Sequence, residues 1–118
     1  MTAQFVIIEQ VTTMLPTQAA AEELAAALVE KRLAACVQIT GPILSVYRWQ
    51  GDVNRDQEFS LCCKTTTSRL PQLIDYLRAH HPYDLPEIIT CVLQSTPEYY
   101  AWVVEQVDQP CEKQFKSR

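Results

Sequence analysis

Along the chain, segments with the apolar spacing of a strand alternate with segments that have the spacing of a helix. Few folds fit the resulting order of strands and helices. The run from Phe5 to Val11 is β-branched and aromatic, which is typical of a buried strand. After Pro16, which fits the first turn of a helix, apolar residues recur every three or four positions. They are Ala21, Leu24, Ala25, Leu28 and Val29. Two extended segments follow. The first runs from Cys36 to about Tyr47 and continues to Trp49, and the second runs from Glu58 to Thr65. We expect them to form a long hairpin.

The second half of the chain continues the alternation of helix and strand. Leucine and isoleucine at helical spacing predict a helix from Leu70 to about His80. The run from Ile88 to Leu93 is almost entirely apolar, so a strand buried on both faces is expected there. A third helix is predicted next, because Ser95 and Glu98 have the spacing of a capping box and Pro97 fits an early helical position.

The resulting order, β-α-β-β-α-β-α, predicts an α+β fold. Right-handed crossovers in both βαβ halves give a ferredoxin-like sandwich of four antiparallel strands, with the first two helices on one face and an added C-terminal helix. The length of 118 residues suits a single domain, residues 1–118, with a core from about 5 to 107 and a polar C-terminal tail. The opposite sheet face would carry Ser60 and Cys62 with Tyr47 and Trp49, so we interpret it as an association surface.

Glycine is scarce, and its two positions mark breaks in the hairpin. With 2 Gly against 7 Pro, the chain has no glycine-rich phosphate loop. Gly41-Pro42 interrupts the first extended segment and predicts a bulge or an edge position, because proline cannot donate to a ladder. The turn of the hairpin is predicted at Gln50-Gly51-Asp52.

The charge and the cysteine content of the chain indicate which partners it binds and in which cellular compartment it works. The formal net charge of −4 and the lack of a basic stripe argue against nucleic acid, and no apolar stretch approaches the ~20 residues of a membrane helix. The five cysteines are irregularly spaced, which predicts reduced thiols in a cytoplasmic protein. Cys91 is expected to be buried and Cys62 to be the most accessible thiol. A thiol-dependent enzyme that uses Cys62 is one rival interpretation.

The segment from His80 to Glu87 holds the densest group of titratable side chains. Both histidines of the chain, His80 and His81, lie there with Asp84 and Glu87. Imidazole and carboxylate together suit borderline divalent ions such as copper or zinc. The alternative, which the residue types alone favour, is that the histidines only end a helix near its negative dipole and Glu87 caps a helix or joins an interface.

A second cluster, Tyr47-Arg48-Trp49, lies close to the predicted hairpin turn. RNA-binding sheets display stacking aromatics, but the segment from Glu58 to Lys64 has no glycine and a single aromatic, unlike an RNA-recognition signature. Aromatic residues beside arginine also anchor protein interfaces. We therefore expect Tyr47 and Trp49 to lie in a subunit interface.

Four segments together resemble the CutA divalent-cation tolerance family. They are Glu30–Cys36 (EKRLAAC), Ser45–Gly51 (SVYRWQG), Lys64–Thr66 (KTT) and His81–Glu87 (HPYDLPE). Each segment alone is a weak signal, but the four occur in order and with the family's spacing, so the resemblance spans about Val6 to Val107. The resemblance implies a tight homotrimer built by long hairpin strands, on a plan similar to that of the nitrogen-regulatory PII proteins.

The resemblance also carries expectations about function. It implies a non-catalytic protein of divalent-cation tolerance and metal response, which binds copper or another divalent ion that the fold does not require. The family's proposed metal ligands map to His80 and Glu87, and the position of its cysteine falls at Thr13, which is no ligand for a soft metal. His81 and Asp84 are further candidate ligands. The alternative is a trimeric signalling or ligand-binding module whose intersubunit clefts take a small anion.

Overall fold

The computed structural model of the protein describes residues 4–108. Within this range seven elements follow one another in the predicted order. They are β1 (Val6–Leu15), α1 (Gln18–Glu30), β2 (Cys36–Trp49), β3 (Asp52–Thr65), α2 (Leu70–His80), β4 (Ile88–Ser95) and α3 (Pro97–Val107). The polar C-terminal tail expected from the sequence lies almost wholly outside the described residues.

The four strands form one antiparallel sheet in the order β2-β3-β1-β4. β1 is central and pairs with β3 on one side and with β4 on the other. β2 and β4 are the edges, because β2 pairs only with β3 and β4 only with β1. The predicted α+β fold, with four antiparallel strands and a C-terminal helix added to a βαββαβ order, is therefore confirmed.

The two faces of the sheet are covered to different extents. On one face, Val11 and Leu15 pack with the buried leucines of α1 and α2, and this cluster is the main core. Successive side chains of a strand point to opposite faces, so Ile8 lies on the other face from Val11. Ile8 packs there with Val103 and Val107 of α3. The third helix therefore covers part of the face that α1 and α2 leave open.

The β2–β3 hairpin extends well beyond the rest of the sheet. β1 pairs with β3 only from Phe59 to Thr65, and the preceding residues of β3 pair with β2 alone. We call residues 43–58 the hairpin arm. The predicted break at Gly41-Pro42 is confirmed, since the register of the hairpin shifts between Thr40 and Ile43. The radius of gyration of 16.2 Å exceeds the roughly 13 Å of a compact domain of this size, as a projecting arm requires.

The turn at the tip of the arm also forms where the sequence predicts it. Gln50 and Gly51 both have positive φ angles, 52° and 89°, and this two-residue turn follows the right-handed twist of the strands. A glycine at the second position adopts this backbone without the steric cost of a Cβ atom.

The ends of two helices differ from the expectation. Pro16 precedes the helix, and Thr17 caps α1 by accepting a hydrogen bond from the Ala20 amide. The predicted capping box of Ser95 and Glu98 is wrong. Thr96 is the N-cap residue of α3 and accepts from the Tyr99 amide, because Pro97 occupies the first helical position.

The expectation that β4 is buried on both faces is also wrong. Ile89 is 56% exposed and Val92 is 59% exposed, and Cys91, expected to be buried, is exposed as well. The physical reason is position, since β4 is an edge strand and the three helices leave most of its length uncovered. The apolar run of β4 therefore contains more apolar side chains than this chain buries in its core.

Candidate functional site

The loop that joins α2 to β4 is attached to the centre of the sheet through His81. Nε2 of His81 lies 2.9 Å from Oγ1 of Thr13, a fully buried side chain of β1. The Tyr83 amide donates to Nδ1 of the same ring at 3.2 Å. Because Nδ1 accepts, Nε2 carries the proton and donates to Thr13. Both ring nitrogens of His81 are thus occupied within the protein.

The surroundings of His81 favour the neutral ring. Burial lowers the pKa of His81 below its ordinary value, and this effect outweighs the opposing contributions of the Met14 carbonyl and of the Glu58 carboxylate. A neutral ring has one donor and one acceptor, which is what Thr13 and the Tyr83 amide require. The position that the family resemblance assigns to a cysteine therefore contacts His81, and not His80.

His80, the last residue of α2, is arranged differently. Its ring stacks on that of Tyr76 with 3.9 Å between the centroids, and its Nδ1 lies 3.0 Å from the Tyr76 carbonyl oxygen. A carbonyl oxygen only accepts, so Nδ1 carries the proton and the lone pair of the neutral ring is on Nε2. The side chain is exposed. This histidine is held in place and keeps one nitrogen that could bind a metal.

A cleft with a volume of ≈ 790 Å³ lies between the hairpin arm and the loop from Pro82 to Glu87. Half of its lining residues are aromatic or acidic. The aromatic residues are Tyr47, Trp49 and Tyr83, and the carboxylates are Glu58, Asp84 and Glu87. The structure therefore brings the predicted interface residues of the arm together with two of the candidate metal ligands of the loop.

Two tyrosine hydroxyls of the cleft donate to carboxylates, and one of these hydrogen bonds joins the loop to the hairpin arm. Tyr83 of the loop donates to Glu58 of β3 at 2.8 Å, and Tyr47 donates to Asp56 on the neighbouring strand of the arm. The hydrogen bond to Asp56 is the main cause that raises the pKa of Tyr47, and burial, with Glu58 second, raises that of Tyr83. Both phenols are therefore neutral donors at physiological pH.

The candidate metal ligands do not form one compact cluster in the described part of the chain. Asp84 and Glu87 line the cleft, whereas His80 and His81 do not. Among residues 4–108, no group of three or more His, Cys, Asp or Glu side chains is arranged to hold one metal ion. The contacts of Thr13 with His81 and of Tyr83 with Glu58 were not anticipated, although Tyr83 lies inside one of the four family segments and Thr13 was singled out by the resemblance.

The cysteines give no support to the thiol-dependent enzyme. Cys91 is exposed while Cys62 is only partly exposed, so the most accessible described thiol is Cys91 rather than the predicted Cys62. Cys63 is buried, and burial raises its pKa to about 12, which leaves it a poor nucleophile. Among residues 4–108, the histidine rings form hydrogen bonds with Thr13, Tyr76 and the Tyr83 amide, and none of these partners is a cysteine.

None of the helices within residues 4–108 combines the length and the apolar character that crossing a membrane requires.

The model of the CutA1 divalent ion tolerance protein family matches residues 9–106. The divalent-cation tolerance protein CutA of Thermus thermophilus is 45% identical over 98 residues, which cover 82% of this chain and 95% of that protein. The structure of CutA from Synechococcus elongatus aligns with a TM-score of 0.83 at 37% identity and covers 88% of this chain and 96% of its own.

A third relative is the periplasmic divalent cation tolerance protein CutA from Archaeoglobus fulgidus, whose structure aligns with a TM-score of 0.81 at 32% identity, over 85% of this chain and 98% of that one. The family model covers most of the chain, and the identities are spread over nearly the full length of these relatives. The chain belongs to the CutA1 divalent ion tolerance family.

Proposed function

We propose that the protein is a non-catalytic homotrimer of divalent-cation tolerance that binds copper or another divalent ion through His80 and Glu87. Membership of the CutA1 family supports the general role. The observation that carries the metal proposal is the hydrogen bond of His80 Nδ1 to the Tyr76 carbonyl, which fixes the ring and leaves Nε2 as the basic nitrogen. Histidines that bind metals in proteins usually donate their other ring nitrogen in this way.

The ligands available in the loop decide which metal is favoured. Glu87 and Asp84 are exposed carboxylates, and together with His80 they offer nitrogen and oxygen donors. Thr13, at the position where the resemblance places a thiolate, adds no sulfur. Such a set suits Cu(II) or Zn(II) better than Cu(I), which prefers thiolate and thioether ligands. His81 could join only by giving up its hydrogen bonds to Thr13 or to the Tyr83 amide.

The proposal of a homotrimer is supported by the hairpin arm. Leu44 and Val53 are both 61% exposed there, and Trp49 is exposed near the tip. An exposed apolar surface of this kind is typical of a protein interface. The edge strands β2 and β4 also offer unpaired backbone groups that a second copy could extend.

Sedimentation analysis of a variant of the arm tests the oligomer. Leu44→Asp places a charge in the exposed apolar surface and should convert the trimer to smaller species. Gln72→Glu is the control, because Gln72 is exposed on α2, outside the hairpin arm, and gains the same charge. A wild-type protein that sediments as a monomer, or a trimer that Leu44→Asp leaves intact, would contradict the proposal.

Isothermal titration of Cu(II) tests the metal site. Wild type should bind with measurable heat, and the double variant His80→Ala/Glu87→Ala should lose that binding. Glu98→Ala removes an exposed carboxylate on α3, outside the loop, and should leave the affinity unchanged. Equal affinity in wild type and the double variant would rule out this site.

We also propose a cytoplasmic location. Its support is the set of free cysteines, since Cys36, Cys62, Cys63 and Cys91 are all unpaired. Fractionation of cells that express the protein tests it, and recovery in a periplasmic or secreted fraction would contradict it.

The alternative, a trimeric module whose intersubunit clefts take a small anion, stays a prediction, since it concerns clefts between copies. The carboxylates of Glu58, Asp84 and Glu87 line the cleft of the single chain and would repel an anion.

A further inference from the structure

We propose that the hairpin arms of neighbouring copies pack with opposite faces together, so that a basic face of one arm lies on an acidic face of the next. This pairing rests on the proposed homotrimer and names the surfaces that meet in it. The register of β2 and β3 assigns each side chain of the arm to one of its two faces.

The register separates the charges of the arm by sign. Residues that pair directly across two strands point to the same face, and successive residues of a strand alternate between the faces. Within residues 43–58, one face carries three carboxylates and no cation, and the other carries two arginines and no carboxylate. The acidic face holds Asp52, Asp56 and Glu58 with Tyr47 and Trp49, and the basic face holds Arg48 and Arg55 with Leu44, Val46 and Val53.

Contacts within the chain agree with this assignment and leave the negative charges in place. Tyr47 donates to Asp56, which the register places on the same face. The donor to Glu58 is Tyr83 of the loop, so both hydrogen bonds come from neutral phenols. Asp84 lines the same cleft as Glu58 and adds negative charge beside the acidic face.

Both faces also expose apolar surface. Val53 on the basic face is 61% exposed, and Trp49 on the acidic face is 42% exposed. The arginines of the basic face are exposed as well. In protein interfaces, buried apolar and aromatic side chains supply affinity, and complementary charges set the orientation and the choice of partner. Each face of the arm therefore has what a contact surface needs, and the two faces complement each other.

The separation of charge determines which contacts between identical arms are favourable. In an isologous contact a face meets its own copy, which places like charges opposite each other. A heterologous contact joins the basic face of one arm to the acidic face of the next. Heterologous contacts repeated around an axis close into a ring. A ring of three copies is the trimer that the family resemblance implies.

Reversal of the charges on one face, and then on both, tests the pairing. Arg48→Glu/Arg55→Glu makes both faces acidic, and Asp52→Lys/Asp56→Lys makes both faces basic. In sedimentation velocity, each double variant should dissociate at a protein concentration at least roughly tenfold higher than the wild type does. The quadruple variant exchanges the signs of the two faces and should recover most of the association. Arg78→Glu reverses an exposed charge on α2, outside the arm, and should have no effect.

The response to salt is a second readout that a merely misfolded variant would not give. Salt screens attraction and repulsion alike. Raising the NaCl concentration should therefore weaken the association of the wild type and strengthen that of each double variant.

The pairing of faces and the homotrimer can fail separately. A wild-type trimer that neither double variant weakens, or an association that the quadruple variant does not recover, would overturn the pairing and leave the homotrimer standing. A salt response of the same sign in the wild type and the double variants would also overturn the pairing. A wild-type protein that sediments as a monomer at every concentration would overturn both.

Discussion

The two halves of β3 are one continuous strand, yet their environments have little in common. In the half that pairs with β1, Leu61 and Cys63 are completely buried beneath α1 and α2. In the half that belongs to the hairpin arm, Val53 is 61% exposed and only β2 lies alongside. Strand formation therefore needs one paired neighbour, whereas burial needs an element stacked on the face. The apolar side chains of the arm exceed what this chain can cover, which is why we look for their partner in a second copy.

Thiol reactivity should show the largest difference between covered and uncovered parts of the sheet. Burial raises the pKa of Cys63 to about 12 from an ordinary value near 9, so at pH 8 its thiolate is roughly a thousandfold scarcer than that of an ordinary cysteine. Iodoacetamide followed by peptide mass mapping should label the exposed Cys91 and leave Cys63 unmodified. Raising the pH increases the thiolate fraction of Cys63 tenfold per unit, yet burial continues to exclude the reagent. In denaturant both residues should react.

Comparable labelling of Cys63 and Cys91 in the native protein would contradict this prediction. It would mean that the covered half of β3 opens readily, and that the contrast within the strand is smaller than the structure indicates.

Truncation of one leucine in each half of the hairpin compares their contributions to stability. Leu61→Ala leaves a cavity in the main core and should lower the free energy of unfolding by about 2–5 kcal/mol. Leu44→Ala in the arm should cost less than about 0.5 kcal/mol within one chain. Urea denaturation at several protein concentrations measures both.

The dependence on protein concentration separates two causes of any larger loss of stability in Leu44→Ala. A loss that grows as the protein is diluted shows that Leu44 stabilises the association of copies, because dilution dissociates them. A large loss that does not change with concentration would show that the arm packs against its own chain and that the two halves of β3 are covered alike.

The contact between Thr13 and His81 gives a smaller effect, confined to the covered half. Thr13→Val keeps the shape of the buried side chain but removes the hydroxyl that accepts from His81 Nε2, and it leaves the Met14 carbonyl as the remaining acceptor. The loss of one hydrogen bond in this partly buried position should cost about 0.5–1.5 kcal/mol. Thr12→Val is the matched control, because Thr12 is the next residue of β1, points to the opposite face and is partly exposed, and its effect should stay within about 0.5 kcal/mol. Equal effects of the two substitutions in thermal denaturation would show that the hydrogen bond adds nothing to stability.

Local patterns were sufficient to predict much of the fold. The assignment of Ser60 and Cys62 to the open face leaves their neighbours Phe59, Leu61 and Cys63 on the covered face, because successive side chains of a strand alternate. The structure has these three residues in or against the core. The exposure of Ile89 and Val92 could not be inferred in the same way. An apolar run predicts that its side chains are buried. Only the strand order shows that β4 is an edge strand, and no element of the described chain covers these two side chains.

The candidate site was predictable only in its composition. Tyr47, Trp49, Asp84 and Glu87 were singled out from residue types and from the resemblance, but their meeting in one cleft depends on how far the arm projects past β1. The different roles of His80 and His81, adjacent in sequence, depend on a single tertiary contact with Thr13, which lies 68 residues away from His81. Local spacing carries no information about a contact of that kind.

The two glycines allow the packing at the base of the hairpin arm to be compared with the packing at its tip. A Cβ atom on Gly51, at the tip, would meet nothing within 4 Å, so Gly51→Ala should cost only the strain of a positive φ, about 1–2 kcal/mol. A Cβ atom on Gly41, at the base of the arm, would lie 2.5 Å from Cδ2 of Phe59 and 3.1 Å from the Glu58 carbonyl oxygen. Gly41→Ala should therefore cost about 1–3 kcal/mol, because the Phe59 ring must leave its place against the core.

A second substitution, Phe59→Leu, tests the cause of this loss. It should recover part of the stability lost in Gly41→Ala and none of that lost in Gly51→Ala, since only the Cβ atom at Gly41 clashes with that ring. Urea denaturation of the two glycine variants, of Phe59→Leu and of the two double variants measures this coupling. Equal recovery at both glycines would show that the base of the arm is no more closely packed than its tip.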